Sequence, residues 1–275
     1  MLAGCNVNRG NQVPPGAGAT PSPPPGRQDP AEQPKRMDIA VYYVKFTEKD
    51  AYLVREVHQI PYTKEVARAA LEELVNGTPV TPGATKVLPA GTKILGLTVR
   101  DGLATVNFSR DVLRANWGAS GEALGIQSIV NTLAEFPTIQ KVSFLVEGKI
   151  DQQARNWWGH VGLYTQPFER DITRVYEPAI WVTAPARDQK ITAPLTVKGS
   201  ARVFEGTVNV RLKDGSGNII ARGATTASEG APGRGDFTLT LPFTATPAGK
   251  GTLEVYWISP KDGSEMDLVA LPVTW

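Results

Sequence analysis

The alternation of apolar and polar positions is clearest over residues 120–148, where it predicts one helix running into one buried strand. Ala123, Ile126, Val130 and Leu133 recur at three- and four-residue steps, and Ile129 and Phe136 widen the same apolar face. Ser120 stands where an N-cap belongs, Glu122 suits the positive end of the helix dipole, and Pro137 stops the helix. Val142, Phe144 and Val146 then alternate with Lys141, Ser143, Leu145 and Glu147, the period of a strand with one buried face, and Gly148 ends it.

Such a helix needs a sheet to lie on, and the preceding residues supply one. Residues 39–46 and 53–60 read as two strands around a turn at Glu48, Lys49 and Asp50. Thr63 is the expected cap of a helix over 64–76, with Val66, Ala70 and Leu74 on one face and Gly77 and Pro79 at its end. Residues 94–99 and 104–108 flank Arg100-Asp101-Gly102-Leu103, and Asp-Gly between two apolar runs signals a hairpin. The order β-β-α-β-β-α-β over residues 38–178 predicts an α+β N-terminal domain, a mixed sheet with helices on one face. From residue 179 onward helical spacing disappears. Short alternating runs at 180–184, 195–201, 207–213, 219–224, 236–241, 252–259 and 268–274 predict an all-β immunoglobulin-like sandwich over 179–275. With no cysteine pair, that sandwich must hold by packing alone.

Composition changes the picture ahead of the first strand. Residues 6–37 are rich in Pro, Gly, Asn and Gln around Pro23-Pro24-Pro25, with no apolar periodicity, so they are expected to form a disordered or polyproline-like tether. A tether of that length reaches roughly 30 Å as a coil and about 100 Å when extended. Met1-Leu2-Ala3-Gly4-Cys5 resembles the end of a bacterial lipoprotein signal, in which small residues precede a cysteine that becomes the acylated N-terminus. The charged and apolar regions that come before such a cysteine are absent, so residues 1–5 read as the remnant of a signal cut by a downstream start or by trimming. Cys5 is the expected lipid attachment site, and it implies an extracytoplasmic protein attached to the cell membrane by a lipid anchor. The alternative is a chance cysteine in a cytoplasmic protein. Cys5 is the single cysteine and stands directly before a stretch unfit for folding, which favours the anchor.

Charge excludes one class of partner. The 275 residues carry 41% hydrophobic and 20% charged side chains and a formal net charge of +2, with no basic block. Sequence-independent nucleic-acid binding requires a concentrated phosphate-facing charge, so nucleic acid is not an expected partner. There is also no apolar run of the roughly eighteen residues that a spanning helix needs.

At the level of motifs the chain resembles a known family. Ala67-Arg68-Ala69-Ala70-Leu71-Glu72-Glu73-Leu74, Leu88-Pro89-Ala90-Gly91-Thr92-Lys93, Asp101-Gly102-Leu103-Ala104-Thr105-Val106-Asn107-Phe108-Ser109 and Thr132-Leu133-Ala134-Glu135-Phe136-Pro137 resemble successive motifs of the GerMN domain. That domain occurs in sporulation and spore-germination lipoproteins and in other bacterial envelope proteins, and its fold is similar to the ring-building modules of secretion and sporulation channels. Val197-Lys198-Gly199-Ser200-Ala201, Val203-Phe204-Glu205-Gly206 and Lys261-Asp262-Gly263-Ser264 resemble the immunoglobulin-like domain that accompanies GerMN in spore-germination proteins. The resemblance implies a scaffold or assembly role with envelope or sporulation proteins as partners, and it carries no catalytic residue with it.

Candidate chemistry is sparse. His58 and His160 each lack a second ligand at metal spacing, and His58 falls in a strand pattern, which makes it a surface or satisfied residue before it is a catalytic one. Gly118-Ala119-Ser120-Gly121-Glu122 departs from a nucleophile elbow at its last position and reads better as a helix start. Asp214-Gly215-Ser216-Gly217-Asn218 has the early spacing of a calcium loop, but its twelfth position is Thr225, and a hairpin turn explains it. Asp262, Glu265 and Asp267 read as a turn before they read as a weak cation site. No enzyme activity, metal or cofactor is therefore expected. Trp157 and Trp158, in the polar segment 151–166, are the candidate ligand-binding residues: adjacent rings could stack on a wall glycan such as peptidoglycan. The alternative, favoured here, is that they close the core, as is expected also of Trp117, Trp181 and Phe204. Limited proteolysis is expected to cut within residues 6–36 and leave a core beginning near Met37; protection of that stretch would show that it docks on a domain.

Overall fold

The computed structural model describes Lys35–Trp275 apart from Thr246, together with Met1, Ala3, Gly4 and Gly10. Cys5 and nearly all of the tether expected over 6–37 lie outside the described residues. Lys35–Trp275 forms one compact unit. It opens with β1 (Arg36–Phe46), β2 (Ala51–Pro61), α1 (Val66–Asn76), β3 (Ala84–Thr85), β4 (Ile94–Arg100) and β5 (Leu103–Phe108). A 3-10 turn at Arg110–Arg114 leads to α2 (Ala119–Ala134), β6 (Lys141–Val146), α3 (Gln152–Asn156), β7 (Phe168–Glu169) and β8 (Val175–Glu177).

All seven expected elements appear in their expected order, but the single mixed sheet is two sheets. One runs β3-β1-β2-β8 and the other β4-β5-β6-β7, each with one parallel pair, β2 with β8 and β5 with β6. Helix α2 explains the division. It touches β1 and β2 of one sheet and β6 and β7 of the other, and most of its length is buried, from Leu124 and Ile126 to Ser128, Asn131, Thr132 and Leu133. A helix enclosed in this way has no single apolar stripe; Ala123, expected on the buried face, is exposed.

The polar residues that α2 buries are bonded. Ser128 Oγ donates to the carbonyl of Tyr42 at 2.5 Å, and the Tyr42 amide donates to Thr132 Oγ1 at 3.1 Å. Two helix side chains thus take the place of a neighbouring strand on the edge of β1, where β3 pairs only at Val44 and Lys45. Asn131 exchanges two bonds with the backbone of Asp171, at 2.6 and 3.0 Å.

The expected caps are displaced. Helix α1 starts at Val66, and the Thr63 hydroxyl accepts from the Glu65 amide in the turn before it. Ser120 lies inside the first turn of α2, with Gly118 at the cap position. Trp117 sets that start: it stacks on Phe46 with ring centroids 5.4 Å apart and donates its indole N–H to Val87 O at 2.9 Å.

The second domain follows the expected strands closely: β9 (Ile180–Ala184), β10 (Gln189–Lys190), β11 (Leu195–Ala201), β12 (Thr207–Asp214), β13 (Ile219–Thr226), β14 (Gly235–Leu241), β15 (Lys250–Ile258) and β16 (Glu265–Thr274). Sheets β10-β16-β15-β12-β13 and β14-β11-β9 enclose Val197, Val208, Val210, Leu212, Leu253 and Val255, the inward positions of alternating strands. Phe204 is an exception to the expected packing and is 48% exposed.

Gly125 in the middle of α2 is required by close approach. A Cβ there would lie 2.7 Å from Cη2 of Trp158 and 3.3 Å from Val87 Cγ2. Gly125→Ala is therefore expected to cost about 1–3 kcal/mol through overpacking, although alanine is the better helix former. A lowered urea midpoint checks this; an unchanged midpoint would show that Trp158 can move aside.

Candidate functional site at the domain junction

Trp181, in β9, is 3% exposed and packs into the core of the first domain, not that of its own sandwich. Two guanidinium groups stack on its ring: that of Arg234, 3.9 Å from the centroid, and that of Arg55 of β2, 5.2 Å away. Arg234 precedes β14 and is 3% exposed, and among the described residues it has no carboxylate partner. It donates instead to the carbonyls of the connecting segment: Nε to Val175 at 2.8 Å, Nη1 to Ala179 at 3.3 Å, and Nη2 to Pro178 at 2.5 Å and Tyr176 at 3.4 Å. Burial pushes its pKa down to about 9, so it stays protonated at neutral pH, with carbonyl dipoles and a π-face in place of a counter-ion.

Arg55 ties this joint to the central helix. It holds Glu135, just past α2, with Nε at 3.2 Å and Nη2 at 2.9 Å, and the Tyr42 hydroxyl donates to the same carboxylate. Burial first, then the Glu135 charge, pushes the Tyr42 hydroxyl well above its ordinary range. An unbroken run of contacts therefore joins the strand, the helix end, Arg55, Trp181, Arg234 and the connecting segment.

A cleft of about 600 Å³ opens beside the joint, bordered by Arg55–Val57 of β2, Val80, Tyr176 to Ile180 and Asp267–Val269 of β16. Glu56, in its wall, is bonded to the one histidine that has carboxylate neighbours among the described residues. His58 contacts Glu73 through Nδ1 at 2.7 Å and Glu56 through Nε2 at 2.8 Å. Glu56, 3% exposed, also accepts the amides of Val80 and Thr81, both at 2.8 Å. Desolvation, which lowers the His58 pKa, is outweighed by its hydrogen bonds to Glu73 and Glu56 and by their charges, so the pKa lies above 6.5. For Glu56, burial pushes upward, but the Val80 and Thr81 amides and His58 hold the carboxyl below 4.5. His58 is a satisfied structural residue.

The structure places the tryptophan pair in the core. Trp157 and Trp158 are 4% and 7% exposed; Trp157 stacks on Phe144 with centroids 5.6 Å apart, and the Trp158 indole donates to Val112 O at 2.8 Å. Both rings are thus largely enclosed, although they border a hollow beside Leu113, Gln152 and Asn156, and the Trp157 indole N–H has no partner among the described residues. Their loop is held from below by Glu122. That carboxylate is fully buried and accepts the amides of His160 and Gly162 at 2.7 Å and of Trp158 at 3.4 Å. The expectation for Glu122, a carboxylate suited to the positive end of the helix dipole, misses this role.

The other carboxylates weighed as candidate chemistry are engaged as well. Asp214 accepts the amides of Ser216 and Asn218 at 2.9 Å in a hairpin turn; Asp262 accepts from Ser264; Glu265 pairs with Arg211; Asp267 accepts the Trp257 indole. Among the described residues no three His, Cys, Asp or Glu side chains converge as metal ligands, and no helix is long and apolar enough to cross a membrane. Arg55, Arg234 and Glu122 are the residues that sequence reasoning missed. Arg234 sits in a Gly- and Pro-rich loop that reads as solvent-exposed.

The geometry defines a class: an α+β domain bonded to an immunoglobulin-like sandwich within one compact unit, with a cleft at the joint. Comparison with known families supplies the particulars. Residues 40–152 match the family described as "Sporulation and spore germination", and residues 179–264 match the "Immunoglobulin-like domain of bacterial spore germination". The chain is a GerMN-containing protein with a C-terminal immunoglobulin-like domain. It is 29% identical over 126 residues to the spore germination protein GerM of Bacillus subtilis, an alignment that covers 44% of this chain and 34% of that one. The chain thus spans about a third of that curated relative. Solved structures similar to it include the tandem GerMN domains of the sporulation protein GerM from Bacillus subtilis, with TM-score 0.41, 23% identity, and 52% of this chain and 49% of that one covered. The first GerMN domain of the same protein aligns with TM-score 0.41 and 25% identity over 49% of this chain and 98% of its own.

The His58 cluster makes stability depend on pH in a defined window. The raised His58 pKa contributes stability that is complete below pH 6.5 and is lost as pH rises through its folded value; the lowered Glu56 pKa contributes above 4.5 and is lost as pH falls through its own. Urea midpoints of the parent are expected to fall as pH rises above 6.5, and those of His58→Gln to stay flatter there. Parallel curves would place the titration elsewhere.

Proposed function

We propose that this chain is a non-enzymatic cell-envelope protein, held on the outer side of the cell membrane by a lipid on Cys5, that serves sporulation or spore germination as an assembly module. Its partners in this reading are other envelope or sporulation proteins. What carries the reading is the pairing of the two matched domains in one chain, in the order GerMN then immunoglobulin-like. The similarity to a spore germination protein supports the same setting. A second observation is consistent with binding and not turnover: Glu56, His58, Glu122, Asp214 and Asp262 all spend their polar atoms on internal bonds.

The bonded joint suits an assembly module. With Arg234 and Trp181 bridging the domains, surfaces on both move together and can be presented to a partner at a set angle.

A crosslinking pull-down from the native envelope tests the proposal, using the protein expressed from its own chromosomal gene beside a Cys5→Ser control. The intact protein is expected in the membrane fraction with defined protein neighbours that the control loses. Capture of wall glycan without protein would move the reading to a peptidoglycan receptor, and turnover of wall fragments by the pure protein would end the non-enzymatic one.

A further inference from the structure

The cleft at the joint is bordered by an open strand edge. In the β1–β2 ladder the Tyr62 amide bonds to Lys35 O, so alternate pairs from there bond across the ladder, including Ile60–Met37, His58–Ile39 and Glu56–Val41. The backbone groups of Arg55, Val57 and Gln59 therefore point away from β1, as the Leu53 amide does where it bonds to Arg174 O. On that outer side β8 pairs with β2 only at Leu53 and Val54 and then leaves at Pro178. Among the described residues no strand takes up the row from the Arg55 carbonyl to Gln59. The Arg55 amide is taken up by Glu177 O in the last bridge to β8, and the Gln59 carbonyl is met by Arg36 Nη2 at 2.5 Å; the Arg55 carbonyl, both groups of Val57 and the Gln59 amide have no recorded protein partner.

Exposed strand edges are ordinarily blunted by proline, lysine or a bulge. Across the cleft, β16 has such protection: its register against β15 shifts near Asp267, which has a positive φ of 50°. Arg55–Gln59 has none of these devices. Three exposed apolar side chains line the cleft: Val57 at 53%, Val80 at 74% and Leu268 at 50%.

We propose that this cleft is a docking slot for an extended, uncharged segment of a partner protein, which adds to β2 as a strand and completes the row that β8 begins. The chemistry of the walls selects that occupant. Donors and acceptors that alternate every second residue are matched by another extended backbone. The charged groups at the rim are committed elsewhere, Arg55 to Glu135, Glu177 to Lys45, and Asp267 to the Trp257 indole, so the exposed valines and leucine favour apolar or β-branched side chains. A volume of about 600 Å³ suits a short single strand. A folded copy of this chain would bring a whole sheet behind its edge. The inference deepens the assembly role and rests on it only in taking the partner to be a protein.

Amide exchange in the full chain tests it, with an acetylated and amidated hexapeptide of alternating Val and Thr as the probe. Exchange at Val57 and Gln59 is expected to slow at least tenfold with saturating peptide, and to stay unchanged with the same peptide N-methylated at alternate residues. Val57→Pro removes one outward N–H while sparing the ladder to β1, and should abolish the effect. Val57→Glu, which leaves the backbone intact, should weaken binding at least tenfold should the proline variant fail to fold. The proposal is overturned by amides already slow in the free chain, by no slowing with peptide, or by protection that grows with protein concentration alone, which would assign the edge to a second copy. Val57→Glu that still captures the same envelope proteins would overturn the slot and leave the assembly role standing.

Discussion

Ser128 and Thr132 of the enclosed helix hold both backbone groups of Tyr42, and the first domain is arranged around that contact. A strand edge would otherwise be left open beside the core, where an unpaired peptide group costs about 1–3 kcal/mol. By supplying a hydroxyl donor and a hydroxyl acceptor in the place of a neighbouring strand, α2 closes one sheet and frees its other flanks to pack on the second. The same strand residue reaches Glu135 through its side chain, and Glu135 orients Arg55. Removing the helix would therefore loosen the sheet, the guanidinium and the joint together.

The joint works by the same economy of polar groups. Arg234 is a buried cation that lacks a carboxylate partner among the described residues, an arrangement that is costly unless dipoles replace the lost water. The carbonyls of residues 175, 176, 178 and 179 and the face of Trp181 do so. Because those carbonyls belong to the connecting segment, satisfying the charge also fixes the path between domains. Groups that resemble chemistry in one dimension, such as His58 between two carboxylates, are consumed in holding loops around this junction.

How far the chain was legible followed the kind of information each element carries. The second domain is built of short alternating runs between turn residues, so its strands could be placed within a few residues; Ile180–Ala184 and Leu195–Ala201 agree at both ends. The Asp101-Gly102 turn was equally plain, and the positive φ of both residues is its physical content. Helix boundaries were read less well, because Thr63 and Ser120 are good caps in isolation while the real starts are set by distant packing, as with Trp117 on Phe46. The Trp157-Trp158 pair was ambiguous for a similar reason. An aromatic in a polar loop reads as surface until Phe144 and Gly125 are known to lie beneath it.

Local periodicity and turn chemistry alone determined the α+β domain, the all-β sandwich after it and their order along the chain, because those signals act between residues close in sequence. Tertiary structure alone decided that the first sheet is two, that α2 is buried on nearly all sides, and that Trp181 belongs to the neighbouring core. It also decided which strand edge stays open at the cleft. Each of these depends on contacts between residues far apart in the chain, such as Arg234 with Val175 and Ser128 with Tyr42. Hydrophobic patterning shows which side chains avoid water; which neighbours they avoid it with is settled only when the polar groups left over have all found partners.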